Sequence, residues 1–90
     1  MSTKIVETRS PAQCRAGRAL LEITQTQLAT SAGLGLSTVV DFEKGRRQVS
    51  SESIELIFQA LTQAGVEFID ENGGGPGVRL RKRQPAKRSK

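Results

Sequence analysis

The strongest constraint on the fold is the segment SAGLGLSTVVDFEKG, residues 31–45, in which Gly33 and Gly35 enclose a single leucine. Gly33 tolerates the positive φ that ends a helix, and Gly35 is an acceptable N-cap. The residues on both sides of this break carry apolar side chains at helical spacing. The sequence therefore predicts two short helices separated by a three-residue turn, which sets the second helix across the first and projects it outward.

Cap signals predict four helices in residues 10–65. Ser10 and Thr24 are typical N-caps for the first and second helices. The third helix ends at Gly45, and the fourth runs from a Ser50 cap to Gly65. The second and third helices are the pair on either side of the break. We therefore expect a mainly α fold of four to five helices.

Beyond Gly65 the apolar period changes from helical to alternating. VEFID carries Val66 and Phe68, and GVRLR carries Val78 and Leu80, with a glycine-rich loop between them. This pattern predicts a C-terminal β-hairpin. An isolated two-stranded hairpin is marginal in water, so it either packs on its own helices or pairs with a second copy through these four residues. The sequence leaves both arrangements open.

The chain divides into four segments around one small core. Ninety residues with 36% hydrophobic content suffice for a single folded unit. We assign residues 1–9 to a flexible N-terminus, 10–64 to a helical domain, 65–81 to the hairpin and 82–90 to a disordered basic tail. Seven of the fourteen lysines and arginines lie in residues 79–90, which contain no acidic residue. This basic segment is interpreted either as a solubilising tail or as an arm for a polyanion such as nucleic acid.

The residue inventory disfavours an enzyme. The chain has no histidine, one cysteine and neither tyrosine nor tryptophan, so the common metal sites and histidine-activated nucleophiles are missing. The GGGPG stretch lacks the GK[ST] ending of a phosphate-binding loop. We expect no catalytic activity, no metal and no cofactor. Cys14 shares a helical face with Arg18 and Leu21, which predicts a small core residue rather than a redox switch.

No stretch of the sequence has the apolar length of a membrane span, and the N-terminal residues lack the apolar core of a secretion signal. We therefore expect a cytoplasmic protein with no membrane partner.

The segment RALLEITQTQLATSAGLGLSTVVDFEKGRR resembles the XRE/Cro-type family of phage-repressor-like DNA-binding domains. The resemblance covers about residues 10–64 and implies a helix-turn-helix domain that binds double-stranded DNA, with helix 36–43 in the major groove. It depends on the joint spacing of Gln25, Leu28, Ala29, Gly33, Leu34, Ser37, Thr38, Val39, Phe42, Glu43 and Gly45.

The resemblance also implies roles for individual residues. Base contacts fall on the outward positions of the recognition helix: Leu36, Ser37, Val40 and Asp41. Asp41 either accepts a hydrogen bond from cytosine or pairs with a nearby Lys44 or Arg46, and Leu36 stands where the family often has a polar residue. Phosphate contacts are expected from Gln25, Thr26, Thr38, Lys44, Arg46 and Arg47. Gln25 matches a position that contacts phosphate or supports the first residue of the recognition helix, and Arg18 and Glu43 match a structural ion pair.

A single helix-turn-helix reads too few base pairs to find one site in a genome, so we expect a homodimer that reads two half-sites. The resulting hypothesis is a transcriptional repressor with a palindromic operator. The alternative is an antitoxin or adaptor whose main role is to bind a protein partner, with autoregulatory DNA binding. A long exposed apolar patch on the fourth helix or the hairpin would favour that alternative.

Overall fold

A computed structural model describes residues 9–46, 48–70 and 73–81. The predicted mainly α architecture with a C-terminal hairpin is confirmed, with four helices in the described residues. Residues 1–8 and 82–90, which hold most of the predicted N-terminal segment and the whole basic tail, lie outside the described residues. The elements are α1 Pro11–Leu21, α2 Gln25–Ala32, α3 Leu36–Lys44, α4 Ser51–Gln63, β1 Val66–Ile69 and β2 Gly77–Leu80.

Reciprocal capping boxes start α1 and α2. The Ser10 hydroxyl accepts the backbone N–H of Gln13 at 3.1 Å, and the Thr24 hydroxyl accepts that of Gln27 at 3.0 Å. Each glutamine side chain in turn accepts the backbone N–H of its cap residue. Because two N–H groups without intrahelical partners are satisfied at each end, both helices begin at a defined residue.

The helix ends follow the predicted glycines with one exception. Gly33 ends α2 at φ 73° and Gly45 ends α3 at φ 63°, both in the left-handed region. The turn after α4 takes Ala64 in a helical conformation and then Gly65 at φ 119°. The exception is α1, which ends at Glu22 with φ 60°, a conformation that a non-glycine residue adopts at a cost of about 1 kcal/mol.

One hydrophobic core joins all four helices and the first strand. Leu28, Val39, Ile57, Leu61 and Val66 are almost completely shielded from solvent. The three phenylalanines form a row through this core. The rings of Phe42 on α3 and Phe58 on α4 lie 5.9 Å apart, and those of Phe58 and Phe68 on β1 lie 4.9 Å apart, both edge to face. Such pairs stabilise beyond the area that they bury, by roughly 0.5–1.5 kcal/mol.

The hairpin packs on the helices of its own chain. The antiparallel register pairs Val66 with Leu80 and Phe68 with Val78, and the side chain of Gln13 on α1 donates to the Gly77 carbonyl at 3.0 Å. Two more bonds hold the end of β2, because the Arg81 N–H donates to the Gly65 carbonyl at 2.7 Å and its guanidinium donates to the Thr62 carbonyl at 2.8 Å.

The four residues predicted for a dimer interface differ in how far this packing buries them. Val66 is completely buried, and Phe68 and Val78 pack against the same core, whereas Leu80 remains exposed. Val66 therefore has no surface to offer a second copy. The sequence could not separate the two arrangements because the same alternating pattern serves either partner.

Candidate nucleic-acid interface

The two faces of α3 differ sharply in exposure. Helical spacing puts its buried residues, Val39, Phe42 and Glu43, on the side of α2 and the core. The opposite face carries exposed or half-buried side chains: Leu36, Ser37, Val40, Asp41 and Lys44. All four residues predicted to contact bases therefore lie on one outward face, opposite the buried Val39 and Phe42.

Glu43 is the centre of a buried polar network at the end of α3. Its side chain is only 1% exposed, yet four hydrogen bonds reach its carboxylate. Arg18 supplies two of them, from Nε to Oε2 at 2.7 Å and from Nη2 to Oε1 at 2.8 Å. The Cys14 thiol donates to Oε2 at 3.2 Å, and the Gln25 amide donates to Oε1 at 3.0 Å. The network ties α1, α2 and α3 together at one residue.

The charge state of this network follows from its donors. Burial acts to raise the pKa of Glu43, but the hydrogen bonds from Arg18, Cys14 and Gln25, together with the Arg18 charge, hold that pKa below its usual value. The hydrogen bond to Glu43 raises the pKa of Arg18. Burial, followed by the bond to the Glu43 carboxylate, raises the pKa of the Cys14 thiol. The pair is thus ionised at neutral pH, with a neutral thiol beside it.

The main chain of Glu43 is held as well as its side chain. Arg15 donates from Nη1 to the Glu43 carbonyl, one of the acceptors that an α-helix leaves without an intrahelical partner. Arg18 also donates to the Ile23 carbonyl at 3.2 Å, in the link between α1 and α2. Arg15 and Cys14 were not expected to take part in this network. The only sequence signal for them is their position within one turn of Arg18 on the same helix.

Gln25 supports the recognition helix at its far end. Its amide nitrogen binds Glu43 near the C-terminus of α3, rather than the first residue, Leu36. Thr26 beside it is exposed, and Thr38 is half-buried in the first turn of α3, with its N–H on the Gly35 carbonyl at 3.2 Å. The first two N–H groups of α2 and of α3 have no intrahelical acceptor, which is the usual arrangement for binding a phosphate.

The basic residues after α3 are exposed. Lys44 ends the helix, and Arg46 follows with Nη1 3.7 Å from the Asp41 Oδ1. Asp41 therefore faces Arg46 in this structure, and its contact with cytosine stays a prediction. Arg47, the third predicted phosphate contact of this group, lies outside the described residues.

A family model described as helix-turn-helix matches residues 15–62, from α1 to the end of α4. The match covers more than half of the chain and contains the outward face of α3 together with the Glu43 network, except for Cys14. The chain belongs to the XRE-type helix-turn-helix family. This is a family of DNA-binding transcription regulators. None of the curated proteins compared with the chain matches it.

The described part of the XRE-type domain offers neither a cluster of metal ligands nor a membrane-spanning helix. Its side chains form no group of three or more histidines, cysteines, aspartates or glutamates that could hold a metal ion. Among the four helices, none combines the length and the apolar run that crossing a bilayer requires.

Proposed function

We propose that this chain is a homodimeric transcriptional repressor that reads a palindromic operator with α3 in the major groove. The observation that carries the proposal is the Glu43 network. Donors from α1 and α2 fix the end of α3, so the face with Leu36, Ser37 and Val40 projects at a fixed angle. A reading surface held by packed and hydrogen-bonded neighbours is the arrangement that specific recognition requires.

Phosphate contacts on both sides of α3 would set its register on the duplex. Lys44 and Arg46 are exposed at its C-terminal end, and Thr26 and Thr38 lie near the N-termini of α2 and α3. Contacts of this kind position the protein and supply most of the affinity, but they carry little sequence information. The basic residues of the tail, 82–90 in the sequence, would add to the same salt-dependent affinity.

The second copy is proposed to dock beside α4. A groove there is lined by Leu34, Leu56 and the Arg9–Glu55 ion pair. Leu56 is exposed, and the ion pair offers both signs of charge on one surface. A two-fold axis brings each sign opposite its complement, which suits an interface made from the same patch on both subunits. The hairpin offers less apolar surface to a second copy, because its apolar face packs against the core.

The test begins with selection of binding sequences from a random duplex library by the full chain. DNase I footprinting of the selected duplex follows, with excess nonspecific competitor and across a salt series. We expect a competitor-resistant footprint over two symmetric half-sites about one helical turn apart. Binding that disappears with competitor and salt would show only nonspecific charge, would remove the operator-reading function and would direct attention to a protein partner.

Sedimentation equilibrium tests the dimer separately. Leu56→Lys is expected to shift the chain to monomer and to abolish the paired footprint, whereas Leu20→Lys on α1, at a similarly exposed leucine, leaves the dimer intact. A wild-type chain that stays monomeric on its selected duplex contradicts the dimer.

A further inference from the structure

The recognition face of α3 carries two aliphatic side chains, Leu36 and Val40. Leu36, in the first turn, is 45% exposed, the highest value among the exposed large hydrophobic residues of the described chain. Val40 lies one turn later on the same face and is half-buried. Four residues correspond to about 6 Å along a helix, so the two aliphatic side chains span roughly two base-pair steps.

Two polar residues on this face, Asp41 and Ser37, are poorly suited to choosing a base by hydrogen bonds. The Asp41 side chain is 16% exposed and lies 3.7 Å from Arg46, so its carboxylate faces a guanidinium of its own chain. Ser37 keeps an exposed hydroxyl, which pairs with several base edges without strong discrimination. Because the proposed function assigns Lys44 to a phosphate, hydrogen bonding by the other polar residues of this face gives the helix little power to choose among bases.

We infer that Leu36 and Val40 are the specificity-determining residues of α3 and that they read the C5-methyl groups of thymine. The inference rests on the proposed function. The thymine methyl is the one apolar group that unmodified base pairs present in the major groove. A leucine or valine pressed against the edge of a G·C pair would instead cover donors and acceptors and leave them unpaired, which is unfavourable. The half-site read by α3 thus contains thymine opposite Leu36 and Val40.

The first experiment removes single methyl groups from the DNA. Starting from the duplex selected by the wild-type chain, each thymine of one half-site is replaced in turn by deoxyuridine, which keeps every hydrogen-bonding atom. We expect one or two positions at which affinity falls roughly threefold to fivefold, the value of one buried methyl-sized group. The same replacement in both half-sites is expected to weaken binding roughly tenfold or more.

The second experiment assigns each methyl to a side chain by a double-mutant cycle. Leu36→Ala and Val40→Ala are each measured on the thymine and deoxyuridine duplexes, after far-UV circular dichroism has established that the variant is folded. We expect each variant to lose discrimination at one position, because the aliphatic partner of that methyl is gone. Leu20→Ala, an exposed leucine on α1, is the matched control and is expected to keep full discrimination.

A third arm separates the methyl group from the rest of thymine. At the sensitive position, a C·G pair is compared with a 5-methylcytosine·G pair, which differ only by the methyl. Recovery of the same threefold to fivefold factor supports methyl reading. Equal affinity for the thymine and deoxyuridine duplexes, or discrimination that persists in both alanine variants, overturns the inference. Failure of the proposed function is different, because the library then yields no enriched duplex and no footprint.

Discussion

Arg18 meets Glu43 through two parallel hydrogen bonds, from Nε to Oε2 at 2.7 Å and from Nη2 to Oε1 at 2.8 Å. This fork-to-carboxylate geometry is the strongest that an ion pair adopts in proteins. Glu43 is buried and also bonded by Cys14 and Gln25. Its carboxylate therefore cannot move into water when Arg18 is lost. The position of α3 therefore depends on a contact made 25 residues away in the sequence.

Glu43→Gln is expected to lower the free energy of unfolding by about 3 kcal/mol, because it removes the charge that compensates the half-buried Arg18. Urea denaturation at pH 7 measures this difference. The control is Glu67→Gln, which breaks the exposed Arg79–Glu67 pair on the hairpin and is expected to cost less than about 1 kcal/mol. Equal losses from the two variants would contradict a special role for Glu43.

The stabilisation from Glu43 is expected to depend on pH with a definite sign. Its pKa is held below the usual value in the folded chain, so the unfolded chain takes up the proton first as pH falls. The contribution is fully present above the ordinary glutamate pKa of about 4.3 and disappears as pH falls through the folded pKa. The gap between the urea midpoints of the wild type and Glu43→Gln should therefore narrow as pH falls from 7 towards 3. A constant gap between them would show that Glu43 does not titrate in this way.

Cys14 is expected to resist alkylation in the native chain. Its thiol is completely buried, and burial beside the Glu43 carboxylate raises its pKa, so little thiolate forms. Labelling with iodoacetamide at pH 8, followed by mass spectrometry, should give almost no adduct in buffer and complete reaction in urea. Rapid labelling of the native chain would contradict the burial of this thiol and the network built on it.

Arg46→Ala is expected to weaken binding to every DNA sequence to a similar extent. The slope of log affinity against log salt concentration should fall by about one, the value for one lost phosphate contact. Arg79→Ala is the matched control, since Arg79 is also exposed and paired with an acidic neighbour but lies on the hairpin. A similar fall in slope from Arg79→Ala would place the hairpin on the DNA. Arg46 would then not differ from an exposed arginine elsewhere on the chain.

Glu22→Gly is expected to stabilise the chain by about 1 kcal/mol, because Glu22 ends α1 with φ 60°. Glu22→Ala is the matched variant, since it removes the same carboxylate but keeps the unfavourable backbone conformation. Thermal denaturation should rank the glycine variant above the alanine variant. Identical midpoints would mean that the end of α1 rearranges when its residue is changed.

The helices could be predicted because their signals are local. Ser10 and Thr24 satisfy N–H groups only three residues away, and Gly33 and Gly45 supply a backbone conformation that depends on one residue. The inward positions of α3 also follow from periodicity within a single helix. Local chemistry of this kind is visible in any short window of sequence.

The parts that could not be predicted depend on distant residues. The bond from Cys14 to Glu43 joins positions 29 apart, and the bond from Gln13 to Gly77 joins positions 64 apart. No spacing rule within α1 specifies which of its residues face α3 and which face the hairpin. The left-handed end of α1 at Glu22 is a local feature, but it could not be predicted either. Glutamate rarely adopts this conformation, so its presence in the sequence gives no signal for it.

The row formed by Phe42, Phe58 and Phe68 has a practical consequence for spectroscopy. These are all of the aromatic side chains in the chain, which has neither tryptophan nor tyrosine. Near-ultraviolet circular dichroism arises from aromatic rings held in fixed packing, so the phenylalanine band here reports one place, where α3, α4 and β1 meet. A ligand or a substitution that disturbs the support of the recognition helix can therefore be detected optically without a label.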